Sequence, residues 1–205
     1  MLRIYGMLDS GNCYKPRLLM ALTGRPFEHV EFSTRDGSTR TDTFLGRNPI
    51  GQCPLLELED GRSLAESGAI LNYLGEGTDF VPADPYDRAR MLQWMFFEQN
   101  QHEPAIAVRR ALTVYPERKA AATPERMKTT LERGNSALEV MDRALGGSAF
   151  FAGERPSLAD IALYPYTRDA AEGGFDLGPF REVTAWLTRV EALPGFKPKE
   201  WTPAG

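Results

Sequence analysis

"LRIYGMLDSGNCYKPRLLMAL", residues 2–22, sets a short β-type run, Leu2–Tyr5, against a helical run, Arg17–Leu22, with a polar turn between them. A strand that passes directly into a helix opens a β-α-β unit. The helical run stops at Gly24, and "FEHVEF" (27–32) follows with Phe27, Val30 and Phe32 marking a second strand. "PLLEL" (54–58) is a third strand, Asp60-Gly61 a hairpin signal, and "RSL" (62–64) the returning strand. "ESGAILNYLG" (66–75) reads as a helix closed by Gly75. The order β-α-β, loop, β-β-α predicts a mixed four-stranded α/β unit.

Within the first turn, Pro16 has no amide hydrogen and biases Lys15 away from helical angles. The helix is therefore expected to start near residues 13–16, leaving Ser10, Gly11 and Asn12 in the loop. Unpaired N–H groups and the positive end of the helix dipole face such a loop and stabilise an anion, a thiolate included. The same turn also reads as a plain helix cap with an incidental thiol at Cys13.

"EGTDFVPADPYD" (76–87), rich in Gly, Pro and Asp, reads as a linker. Beyond it the β signals fade. Residues 86–112 are expected to be helical around Trp94, Phe96 and Phe97, with Pro104 kinking or ending the stretch. Thr123-Pro124 is a cap followed by proline at the first helical position. Met127, Leu131, Leu138, Met141 and Leu145 keep one buried face until Gly146-Gly147. Ser157 starts another helix, and residues 179–192 form the last, ended by Pro194-Gly195.

A chain of 205 residues has room for one large domain or two small ones. It is 42% hydrophobic and 25% charged, with net charge -4, an acidic balance that gives no footprint for nucleic acid or an anionic membrane. No apolar run reaches the roughly 20 residues of a membrane span, and the N-terminus lacks a signal core. Cys13 and Cys53 stand 40 positions apart and form no metal-type cluster, which reads as a reduced, cytoplasmic setting with no metal.

Two further motifs carry chemistry. In "NPIGQCP" (48–54), Asn48-Pro49 and Gly51 make a turn, and Cys53-Pro54 leads into a strand. An X-Pro bond at a strand's first residue is a candidate cis peptide that would turn the Cys53 N–H and C=O outward toward an extended peptide; an ordinary loop is the alternative. In "AESGAI" (65–70), the Ser67 hydroxyl and helix N–H groups suit a carboxylate, and Glu66 suits an ammonium group. Together they match the α-amino-acid end of a small molecule, unless both residues merely cap the helix.

In order and spacing, the turn, the proline loop 12 residues before Glu66, the "ESGAI" helix start and the helical second half resemble the soluble glutathione transferases over essentially the whole chain. "LDSGNCYKPRLLMAL" looks most like the bacterial serine- and asparagine-bearing eta and nu types. The resemblance implies a thioredoxin-like glutathione-binding domain at 1–78, a linker at 79–87, and an all-helical domain at 88–205 lining the acceptor site. It implies that Ser10 faces the glutathione thiol, with Asn12 as partner or substitute. Cys53 before Pro54 would pair by backbone with the cysteinyl part; Glu66 and Ser67 would hold the γ-glutamyl end. Arg40 in "GSTRTDTF" would lie near the glycine carboxylate, with Gln52 a neighbouring contact. The family usually has valine or isoleucine at the place of Cys53. Glutathione is then the co-substrate, with no prosthetic group, and a small electrophile and a homodimer partner are implied.

Cys13 reads as a packed small hydrophobe, a lesser lining residue, or the nucleophile of a glutathione-dependent disulfide or peroxide reductase. A transferase-like protein that binds glutathione without turnover is the third reading. For the acceptor pocket, one of Arg109 and Arg110 is a candidate, the alternative being solvent, and Tyr164 and Tyr166 are candidates, the alternative being core packing; His102 reads as a catalytic base or as a surface or satisfied helix histidine. "RPSLADIALYP" (155–165) resembles the family's capping box, with Ser157 and Asp160 structural.

Overall fold

Alternation builds the sheet. β1 (Leu2–Gly6) buries Leu2, Ile4 and Gly6 and exposes Arg3. β2 (Phe27–Glu31) lies parallel to it, with Leu2 opposite Phe27. β3 (Leu55–Glu57) runs antiparallel, Ile4 opposite Leu56, and β4 (Ser63–Ala65) returns along it, Leu56 opposite Leu64. The sheet order is β2-β1-β3-β4. A parallel neighbour requires a crossover, and α1 (Gly11–Leu22) supplies it. α3 (Ser67–Gly75) packs beside α1, and Leu18, Leu19, Ile70 and Leu71 are fully buried with Ile4 and Leu56. Tyr5, which alternates with Ile4, meets Phe32 edge-on, and Phe32 stacks at 4.9 Å on Phe44 of α2 (Asp42–Arg47).

The computed structural model describes residues 1–203. It divides into one unit of Met1–Thr78 plus the segment from Leu193, and a second of Asp79–Ala192. The first departs from the sequence reading in two ways. Its first helix begins at Gly11, not at 13–16, and carries Pro16 inside it. The Ser10 cap starts the helix early, its carbonyl accepting from Tyr14 N and its hydroxyl from Cys13 N, while Pro16 removes only the bond that would end on the Asn12 carbonyl. Residues after 192, expected with the helical half, are bonded to α1 instead. Tyr14 donates to the Lys197 carbonyl, Arg17 Nη1 donates to the Trp201 carbonyl at 3.2 Å, and Trp201 meets Phe27 edge-on.

The second unit is helical. α4 (Pro85–Phe97) starts within the expected linker, because Asp84 caps it through the Tyr86 and Asp87 amides and Pro85 occupies its first position. A wide π turn, Glu98–His102, joins it to α5 (Glu103–Val114). That turn is the kink expected from Pro104, displaced one turn upstream because proline cannot donate back along the helix. α6 (Pro124–Leu145) is capped by Thr123. α7 (Leu158–Arg168) and α8 (Arg181–Glu191) complete the unit. Trp94, Phe151, Trp186 and Tyr164 form a continuous aromatic chain through its core. Ser157 and Asp160 make the reciprocal cap, and Asp160 also accepts from Phe151 N and Trp186 Nε1. Burial pushes the Asp160 carboxyl up against these donors. No helix among the described residues is long and apolar enough to cross a membrane.

Candidate functional site

Ser10 is the N-cap of α1: its Oγ accepts from Cys13 N at 3.4 Å, and its carbonyl accepts from Tyr14 N at 3.0 Å. An oxygen used as acceptor leaves the hydroxyl hydrogen to donate. The peptide just before the cap is clamped at both ends. The Leu8 amide donates to the Glu31 carboxylate at 3.2 Å, and buried Arg17 donates through Nη2 to the Leu8 carbonyl at 3.0 Å. His29 Nε2 bonds Glu31 at 3.0 Å, and burial lowers the His29 pKa despite that carboxylate. Arg17 and Glu31 were not singled out from sequence. The available signal was a charge inside the apolar run "RLLMAL", four residues after Cys13 on the same helix face.

Asn12 joins this turn to α3. Its Oδ1 accepts from Lys15 Nζ at 2.7 Å and from Ser67 Oγ at 3.3 Å. Ser67 is buried at the first position of α3, and the exposed Glu66 before it has φ 68 and ψ 118. A side chain other than glycine held at positive φ costs on the order of 1–3 kcal/mol, the kind of strain concentrated at ligand clamps. The backbone there is fixed so that Glu66 stands free of the helix while Ser67 turns inward to Asn12.

The loop 48–54 is built by buried Asn48, whose amide donates to the Gln52 carbonyl at 2.8 Å and whose Oδ1 accepts from Ile50 N. The Cys53–Pro54 peptide is cis. Exposed Arg40 reaches this loop and donates to the Ile50 carbonyl at 3.2 Å. Gly51 has φ 67, and a Cβ there would stand 2.9 Å from the Thr39 backbone carbonyl, so the turn requires glycine. The Gln52 side chain is exposed on the same loop.

Both thiols are reduced; Cys13 is fully buried and Cys53 partly exposed. Burial raises the Cys13 thiol, but hydrogen bonds from Cys53, Ser10 and the Met7 backbone, with the Arg17 charge, outweigh it and carry it down. The Cys13 contact and then burial push the Cys53 thiol far up. A fully buried Cys13 cannot itself meet a disulfide arriving from solvent, so the reading of it as a direct nucleophile lacks access.

Ser10, Asn12, Cys13, Arg40, Gln52, Cys53, Pro54, Glu66 and Ser67 thus belong to one unit. Ser10, Cys13 and Asn12 open α1 at the C-terminal edge of β1, tied directly to Ser67. The acceptor-pocket candidates are engaged structurally. Arg109 donates to the Gly173 carbonyl at 2.6 Å and also to the Met127 carbonyl; Tyr164 is buried and donates to Glu191 at 2.8 Å. Arg110 pairs with Glu172, and His102 with Thr167. A groove of about 640 Å³ beside Leu2, Arg25 and Tyr73 lies at the other end of β1 and contains none of the predicted residues. Among the described residues no cluster suits a metal ion.

Two family models match the chain: the N-terminal domain of glutathione S-transferase over residues 1–76 and its C-terminal domain over 95–194. Glutathione S-transferase F14 of Arabidopsis thaliana is 36% identical, covering 84% of this chain and 72% of its own. The maleylacetoacetate isomerase of Rhizobium meliloti (strain 1021) is 31% identical, covering 95% and 93%. A crystal structure of a glutathione S-transferase from Pseudomonas fluorescens Pf-5 superposes with a TM-score of 0.93 at 44% identity, covering 97% of this chain and 98% of that one. With a thioredoxin-like sheet ending on a capped serine turn, a helical second unit, and relatives of this extent, the chain belongs to the glutathione S-transferase family.

Proposed function

We propose that this chain activates the thiol of glutathione and transfers it to a small hydrophobic electrophile. The observation that carries the reading is the Ser67–Asn12 hydrogen bond, which makes one site of the helix start suited to an amino-acid end and the serine turn suited to a sulfur. In this reading Glu66 and Ser67 hold the γ-glutamyl end, the Cys53 backbone before Pro54 pairs with the cysteinyl part, and Arg40 lies toward the glycine carboxylate with Gln52 beside it. Asn12, whose oxygen is taken by Lys15 and Ser67, positions the turn, and Ser10 donates to the sulfur.

A free thiol with pKa near ~8.5 is a few per cent ionised at neutrality. Lowering that pKa by about two units requires roughly 2.7 kcal/mol, the order supplied by a hydroxyl donor and the N-terminus of α1. The serine keeps its own proton. The thiolate attacks the electrophilic carbon, a carbon–sulfur bond forms, and the leaving group departs with its electron pair. The eta- or nu-like type rests on Ser10 and Asn12. A cytoplasmic two-fold homodimer rests on the family resemblance, and light scattering of the purified chain tests the dimer.

The test is the ultraviolet thiolate absorbance of bound glutathione against pH, in the parent chain and in Ser10→Ala, with turnover of a chloronitroaromatic acceptor. A bound thiol still fully protonated at neutrality in the parent chain overturns the reading. A second reading is favoured by the isomerase relative, whose sequence aligns over 93% of its length. There the same thiolate adds to a conjugated double bond, the bond rotates, and elimination returns the thiolate. Isomerisation of maleylacetoacetate without net loss of glutathione distinguishes it.

A further inference from the structure

Both cysteine sulfurs converge on the C-terminal end of β1. Gly6 closes that strand, and a Cβ there would stand 2.6 Å from Cys13 Sγ and 2.9 Å from Cys13 Cβ. Phe32 N donates to the Gly6 carbonyl at 3.2 Å, and the Phe32 carbonyl accepts from the Cys53 thiol at 3.5 Å. Each sulfur thus lies against one member of the Gly6–Phe32 pair, and each thiol acts on the ionisation of the other. One partner is closed off from solvent, and the other is partly open on the loop that precedes Pro54. Packing asks only for a small hydrophobe at either place, so it leaves a matched pair of thiols unexplained.

We propose that Cys13 and Cys53 form a dithiol–disulfide couple oxidised by glutathione disulfide. The choice of oxidant rests on the glutathione reading above; the couple itself does not. The exposed member reacts first. Cys53 gives up its thiol hydrogen to solvent base, and the Cys53 sulfur attacks one sulfur of the glutathione disulfide. The sulfur–sulfur bond of the oxidant breaks, and the first glutathione leaves as thiolate. The Cys13 thiolate then attacks the Cys53 sulfur of the mixed disulfide, and the second glutathione leaves as thiolate and takes up a proton from solvent. The chain loses two electrons, the glutathione disulfide gains them, and two molecules of reduced glutathione are released. Exchange with excess glutathione runs the steps backward. The buried member resolves the mixed disulfide without leaving the core, because both sulfurs lie at the same strand end.

The experiment treats the reduced full-length chain with glutathione disulfide and, separately, with hydroxyethyl disulfide. Remaining thiols are alkylated, and intact and peptide masses are read. With either oxidant the expected product is lighter by two hydrogens, takes up no alkylating label, and yields one linked peptide containing Cys13 and Cys53. Cys13→Ala is expected to stop at a mixed disulfide on Cys53, and Cys53→Val to retain an unmodified Cys13. A parent chain that stops at the mixed disulfide with both oxidants overturns the couple, and this result needs no variant to fold. A crosslink with hydroxyethyl disulfide but none with glutathione disulfide keeps the couple and overturns glutathione as its oxidant.

Discussion

On the proposed function Ser10 carries two duties separable by measurement. As a cap its loss costs about 1 kcal/mol of stability. As a donor to a charged sulfur its loss costs roughly 1.4–2.7 kcal/mol of transition-state stabilisation, a fall in kcat/KM of about 10- to 100-fold. Ser10→Ala is expected to show that fall with little change in KM for glutathione, which the proposed reading assigns to other residues, and its rate profile should move to higher pH. His29 makes a second residue-level prediction. Its side chain is 6% exposed and its Nδ1 is buried without a hydrogen-bond partner, so a second proton on the ring would be stranded. The folded pKa is therefore depressed by burial. The unfolded chain takes up a proton near pH ~6.5 while the folded chain does not, so stability is lost as pH falls through that value. Urea midpoints from neutrality to about pH 5 should decline less in His29→Gln than in the parent chain.

Among the elements, α7 depends most on a single side chain. Asp160 accepts from Ser157 N, Ser157 Oγ, Phe151 N and Trp186 Nε1, all at 2.8–3.1 Å. Asp160→Ala strands buried donors at about 1–3 kcal/mol each, for a total on the order of 3 kcal/mol or more, whereas Ser157→Ala removes one cap at about 1 kcal/mol. Chemical denaturation should rank the two variants in that order. The capping box was legible in the sequence because its spacing is local. The start of α1 was not, since Pro16 argued for a later start while the bonds that begin the helix come from Ser10. Asp84-Pro85 repeats the Thr123-Pro124 signature and was hidden by the Gly- and Pro-rich composition around it. The motifs on the first unit were readable one by one; the hydrogen bond that joins Asn12 to Ser67 spans 55 positions and has no local trace.

For the whole molecule, the chain's end is a working part of the first unit. The Lys197 and Trp201 carbonyls accept from Tyr14 and Arg17, and the Trp201 ring meets Phe27 edge-on. Ending the chain at Ala192 leaves those donors without acceptors. The expected loss, on the order of 3 kcal/mol, corresponds to a melting point about 6–12 °C lower, readable by calorimetry on the full chain and the shortened one. Sequence composition placed this segment with the helices that precede it, because nothing in "PGFKPKEW" announces that its acceptors are for α1.

The unusual backbone at residue 66 sets fold and chemistry at odds. Glycine would occupy φ 68 without steric conflict, so the chain would fold at least as readily with no carboxylate there at all. A library screened for heat resistance alone is expected to converge on Glu66→Gly and to emerge hardier yet unable to retain a zwitterionic guest. A library screened for turnover would keep the acid and tolerate the lower melting point.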